Sequence, residues 1–108
     1  MQKQYKSIRL LTLASLLLFG FSQSMASERY YKNGQEAYTK VCAYCHDTGV
    51  GPDSIKIKFD AASVDFRTEN IFQTVRLGLN AMPAFRKTEI DDATLRDLSR
   101  GLATGTIK

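Results

Sequence analysis

The chain has 108 residues, 44% hydrophobic and 24% charged, which allows one domain and excludes a disordered polyelectrolyte. Its formal charge of +4 is concentrated at the start: Lys3, Lys6 and Arg9 precede any acid, and the rest carries 12 Lys+Arg against 11 Asp+Glu. That near-neutral remainder lacks the basic face that phosphate backbones require, so nucleic acid is excluded as a partner.

In chain order, the first element is an export signal. Three cations lead into the apolar run Leu10–Phe21, interrupted only by Thr12, Ser15 and Gly20, and small residues follow at Ser24 and Ala26. This order predicts a secretory signal peptide over residues 1–26, cleaved after Ala26. The run is shorter than the roughly 20 apolar residues of a membrane span, so no span is expected after cleavage. The expected product, residues 27–108, is a single periplasmic domain of 82 residues. Domains of that size have small cores and usually need a disulfide, metal or cofactor to stabilise them.

Asn33-Gly34-Gln35-Glu36 has the form of a capping box, and predicts a helix running from Gly34 into Cys42–His46. Ala37, Tyr38 and Val41 would share its inner face. The segment Cys42-Ala43-Tyr44-Cys45-His46 contains both cysteines and the only histidine. C-x-x-C-H is the attachment pattern of c-type haem. Two thiols three residues apart on a helical turn can reach two vinyl groups of one porphyrin edge, and the next residue then offers its imidazole to iron. A structural disulfide, a thioredoxin-type redox pair and a zinc site compete for the same residues. The redox pair needs a βαβ context that this pattern lacks, and zinc needs further ligands.

Gly49-Val50-Gly51-Pro52 follows as a tight turn. A metal-bound histidine normally donates its second N–H to a carbonyl, and the Pro52 C=O is the candidate acceptor for His46. The alternation Ile55-Lys56-Ile57-Lys58-Phe59 predicts an extended loop over 53–60 lining a pocket. Lys56 and Lys58 either guide a partner or solvate that loop. A second helix is expected from Thr68-Glu69-Asn70, with Ile71, Phe72 and Val75 inward and Gly78 as its stop. Arg76 on this helix is read as a partner for a cofactor carboxylate or as an exposed cation.

Met82 is the only methionine beyond Ala26, and Pro83 follows it. Methionine commonly fills core gaps. Given haem, its thioether completes a His46/Met82 axial pair, which raises the reduction potential. The alternative is a five-coordinate iron that binds small gases. A third helix is expected from Ile90-Asp91-Asp92, with Leu95, Leu98 and Leu102 at helical spacing, and Gly105 ends the domain. Three helices around one bound group make an all-α domain. Tyr30, Tyr31, Tyr38 and Tyr44 are read as packing or surface residues. No second histidine or catalytic pairing supports a hydrolase.

With the Gly34/Tyr38 helix, Cys42–His46, Gly51-Pro52 and Met82-Pro83 in this order, the chain resembles a class I cytochrome c over residues 27–108. The resemblance implies a small helical fold wrapped on haem, with only the haem edge exposed. Ala43–Pro52 and Ala81–Phe85 also look like the cytochrome subunits of the 4-alkylphenol flavocytochromes (p-cresol methylhydroxylase and the eugenol and vanillyl alcohol hydroxylases). That likeness implies electrons arriving from an FAD-containing subunit and leaving for a copper protein or another cytochrome. The chain itself would be a non-catalytic electron-transfer subunit. A free periplasmic carrier is the second reading, and a thiol-disulfide oxidoreductase using Cys42 and Cys45 the third. Two features depart from the family: residues 53–67 form a long stretch, and Gly101 stands where an aromatic usually packs against the first helix. That glycine predicts a gap beside Tyr38, filled by Tyr38 itself or avoided by an early helix end.

Overall fold

The computed structural model describes residues 29–108, so the expected signal at 1–26 lies outside the described residues. Helix α1 covers 34–46 in three segments: α-helical Gly34–Ala37, π-helical Tyr38–Cys42 and α-helical Ala43–His46. Asn33 caps it, its Oδ1 accepting the Glu36 N–H at 2.8 Å. Glu36 reaches back one residue further than in a capping box and accepts the Lys32 N–H at 2.6 Å. That bond, with Lys40 beside it, holds the Glu36 carboxyl below the usual range. The π-segment inserts an extra residue into the turn, the Ala43 N–H bonding Tyr38 C=O. Such bulges are rare and concentrate at functional sites.

Residues 53–60 depart from the expected extended loop. Asp53–Lys56 form a 3₁₀ turn, and the chain is extended only from Ile57. The turn points Ile55 inward against the core and leaves Ile57 exposed, which the alternation could not distinguish. Helix α2, Val64–Leu77, begins four residues before the expected Thr68. Asp60 organises its approach, accepting the Ala62 and Ser63 N–H groups at 3.1 Å each. Gly78, at φ +76°, ends it as expected. Helix α3 is Asp92–Thr104, capped by Asp91 through the Thr94 N–H at 2.9 Å.

The helix α3 packs against α2 and against the first turn of α1. The α1 crossing requires Gly34, because an added Cβ would overlap the Leu98 backbone. The Gly34 N–H donates to Asp97 across the same crossing at 2.6 Å. Tyr38, Leu95, Leu98 and Leu102 form the centre of the core, with Phe72 and Val75 from α2. Arg96–Glu69 and Arg100–Asp65 pair along the exposed α2–α3 rim, where solvent screening leaves such bridges little weight.

Gly101 leaves no gap beside Tyr38, and α3 does not end early. Gly105 takes a left-handed conformation, and the Thr106 and Ile107 N–H groups return to Gly101 C=O at 2.9 and 3.0 Å. The tail thus folds back over the helix and buries Ile107 to 4% exposure. A Cβ on Gly101 would lie 2.7 Å from Ile107 Cδ1. The space opened by glycine is occupied by a residue six positions later. Among the described residues there is no strand, only an isolated bridge between Leu79 and Met82. Among the same residues no helix is long and apolar enough to cross a membrane.

Candidate haem cleft

A cleft of about 170 Å³ opens between α1, α2 and the loop after α2. Cys42 and His46 line it from α1, Met82 from the loop, and Leu98 and Leu102 from α3. Three of the five candidate residues therefore meet in one largely apolar space. Cys45 is exposed beside it, and Pro52 stands behind His46, outside the lining.

The loop after α1 sets the histidine. Gly51 N–H bonds Cys45 C=O at 2.7 Å, folding the chain under the ring. His46 Nδ1 donates to the Pro52 carbonyl at 2.8 Å. A carbonyl only accepts, so Nδ1 carries a proton, and in the neutral ring it is Nε2 that keeps the lone pair. Gly51 makes this approach possible, since a Cβ there would sit 3.0 Å from Nδ1.

Beside the histidine, Asp47 accepts from Tyr38 Oη at 2.6 Å and pairs with Lys56 Nζ at 2.6 Å. Lys56 and Tyr38 hold the Asp47 carboxyl below the usual carboxylate range, Lys56 the more strongly. Burial, then Asp47, pushes the Tyr38 phenol upward. Lys56 is thus tied to the fold through Asp47. Lys58 lays its aliphatic stem beside Gly105.

Cys42 is shifted away from reactivity. Burial pushes its thiol up to about 11, with Asp47 and Cys45 adding to the effect. A dithiol oxidoreductase needs a lowered attacking-thiol pKa and a βαβ setting. Neither accompanies Cys42.

The loop carrying Met82 is a closed turn. Leu79 and Met82 exchange both backbone hydrogen bonds, at 3.1 and 2.9 Å. Asn80 takes φ +53°, a left-handed value that asparagine tolerates. Phe85 N–H then bonds Val75 C=O at 2.8 Å and returns the loop to α2.

Sequence reasoning missed the polar end of the cleft. Arg67, Asn70 and Thr74 line it from α2, alternating with Ile71 and Val75 on one helical face. Asn70 and Thr74 fell within the expected helix, and Arg67 joins their face once the helix is known to begin at Val64. Arg67 Nη1 donates to Asn70 at 3.3 Å, and its guanidinium lies 5.2 Å from the Phe59 ring. Its Nε is buried without a partner. Arg76, by contrast, does not face the cleft and is not an exposed cation. It donates to Phe85 C=O, Ile90 C=O and Asp92 at the base of the Met82 loop.

These residues fit haem c. The Cys42 thiol, the His46 imidazole and the Met82 thioether meet at apolar walls with the Cys45 thiol beside them, and an orphaned guanidinium nitrogen offers a site for a carboxylate. Pockets that enclose a ligand of this class run to about 300–1,000 Å³. A cleft of about 170 Å³ would enclose part of the ring and leave an edge at the surface.

Residues 30–100 match the family described as cytochrome c oxidase, cbb3-type, subunit III. The chain belongs to this cytochrome c family, and membership implies haem c and electron transfer. It is similar to the 4-cresol dehydrogenase [hydroxylating] cytochrome c subunit of Pseudomonas putida. The two are 30% identical over 102 residues, covering 89% of this chain and 83% of the relative. No solved structure matches the chain.

Proposed function

We propose that the chain is a periplasmic cytochrome subunit with one haem c, accepting electrons from an FAD-containing subunit that oxidises a 4-alkylphenol. The observation that carries the haem assignment is the meeting of Cys42, His46 and Met82 on one apolar cleft. The partner assignment is supported by likeness to a dehydrogenase cytochrome subunit across most of both chains.

Bound haem supplies a one-electron ferric/ferrous couple. Cys42 and Cys45 would hold it as thioethers, and the His46 imidazole and Met82 thioether would bind its iron. The Pro52 carbonyl fixes the His46 tautomer and raises the basicity of Nε2. The apolar walls from α2 and α3 exclude water, and burial of this kind is one of the settings that tune potential. No residue of this chain makes or breaks a substrate bond. Electrons leave for an external acceptor such as a copper protein or another cytochrome. Residues 1–26 direct export and are removed after Ala26, leaving 27–108 as the cytochrome domain.

The test is gel filtration of native periplasmic extract, with haem and flavin absorbance recorded together. Coelution of both well above monomer size is expected. Haem alone at monomer size would replace this reading with that of a free carrier. Mass spectrometry of the same fraction should find both thiols consumed and the mass of one haem added.

A further inference from the structure

One side chain on α2 gathers the whole connection between α2 and α3. Arg76 is mostly buried, with 13% of its side chain exposed. Its Nη1 donates to Phe85 C=O at 3.1 Å. Its Nη2 donates to Ile90 C=O at 2.8 Å and pairs with Asp92 Oδ1 at 2.7 Å. The guanidinium also rests 5.3 Å from the Phe72 ring. These acceptors lie 9, 14 and 16 residues along the chain, at the end of the Met82 loop, before α3 and at its first residue.

These bonds hold the downstream end of the loop that carries Met82. Upstream, its turn is closed by the reciprocal Leu79–Met82 pair. Downstream, Pro83 has no N–H to give, and the next tie to the fold is at Phe85. Phe85 is held on both polar atoms: its N–H by Val75 C=O and its C=O by Arg76. Lys87 and Arg76 keep the Asp92 carboxyl below the usual range, so the anion that orients the guanidinium persists at neutral pH. Arg76 Nε is buried without a partner. An orphaned donor of this kind costs stability, and its presence calls for an explanation.

We propose that Arg76 is a positioning residue for the Met82 sulfur, a guanidinium clamp that fixes the downstream half of the loop against α2 and α3. The clamp sets how well external ligands compete with the sulfur for iron. It rests on the assignment of Met82 as an axial ligand. Lysine cannot replace it, because a compact ammonium lacks the planar fork that reaches three acceptors at once.

The test uses the holoprotein and three variants, Arg76→Lys, Arg76→Gln and Asp92→Asn, with Met82→Ala as reference. The readouts are the long-wavelength sulfur-to-iron absorption of the ferric state, the midpoint potential and titration with imidazole. Imidazole should bind Arg76→Lys and Arg76→Gln at least roughly tenfold more tightly than the parent protein, the ratio that about 1.4 kcal/mol represents. Their sulfur absorption should fade at lower temperature. Asp92→Asn should move the same way by a smaller factor. Should Arg76→Gln fail to fold, Arg76→Lys and Asp92→Asn decide. A folded Arg76→Lys that melts earlier, yet keeps parental imidazole affinity, absorption and potential, would reduce Arg76 to a structural residue and end the proposal. An unchanged sulfur absorption in Met82→Ala would remove the ligand assignment and the clamp with it. A changed Met82→Ala beside a parental Arg76→Lys would remove the clamp alone.

Discussion

The fold-back of the tail over Gly101 can be measured as a coupling between two residues. Ile107→Ala removes a side chain that is 4% exposed. Such truncations cost about 2–5 kcal/mol, and a chain end that can relax places this one near about 2 kcal/mol. Gly101→Ala alone gains about 1 kcal/mol of helix propensity. Its Cβ would meet Ile107 Cδ1 at 2.7 Å, and overpacking of this kind costs about 1–3 kcal/mol. The net effect should be a loss near about 1 kcal/mol. With Ile107→Ala present the clash disappears, and Gly101→Ala should stabilise by about 1 kcal/mol. The change of sign is a coupling of about 2 kcal/mol, well above the additivity error of about 0.5 kcal/mol. Denaturant unfolding of the holoprotein, followed by far-ultraviolet circular dichroism, reads all four corners of the cycle. Additive effects would refute the argument that Ile107 occupies the space left by Gly101.

Three further outcomes follow from the same geometry. Gly34→Ala should destabilise by about 3 kcal/mol, the upper end for overpacking, because its Cβ meets the Leu98 backbone; a parental melting temperature would contradict the close α1–α3 crossing. Gly51→Ala should press on the His46 ring, 3.0 Å from the added Cβ, and weaken the Nδ1–Pro52 bond. An unchanged haem spectrum and potential would count against that contact. Glu36, Asp47, Glu69, Asp91 and Asp92 are all held below their ordinary values by hydrogen bonds and neighbouring cations. Their stabilisation is complete above the unfolded carboxylate range and is lost as pH falls through the folded values. The melting temperature should therefore be level near neutrality and drop below about pH 4; a level profile down to about pH 3 would contradict these pairings.

What the sequence revealed was local. Asn33 caps within three residues, Cys42 to His46 is one helical turn, and Leu95, Leu98 and Leu102 repeat at helical spacing, so each could be read from neighbours in the chain. The α2 start was hidden because Asp60 organises a turn ahead of the helix without serving as its N-cap. That displacement concealed Arg67 as a cleft residue. Arg76 and Ile107 were illegible for a different reason. Their partners lie in other elements or across a reversed tail, and no periodicity encodes such contacts. In residues 53–60, alternation suited an extended loop, while the chain forms a 3₁₀ turn that packs Ile55 against the core.

The π-segment in α1 gives this helix two phases. Up to Ala37 its buried face is set by α3; from Cys42 onward its inner face is set by the cleft. Each residue of an α-helix advances the face by about 100°, so the extra residue works as an angular offset between the two halves. Removing one residue between Tyr38 and Cys42 would leave a good helix and a good attachment motif that no longer point to their respective partners. The spacing from Gly34 to His46 is therefore a fixed angle as much as a length.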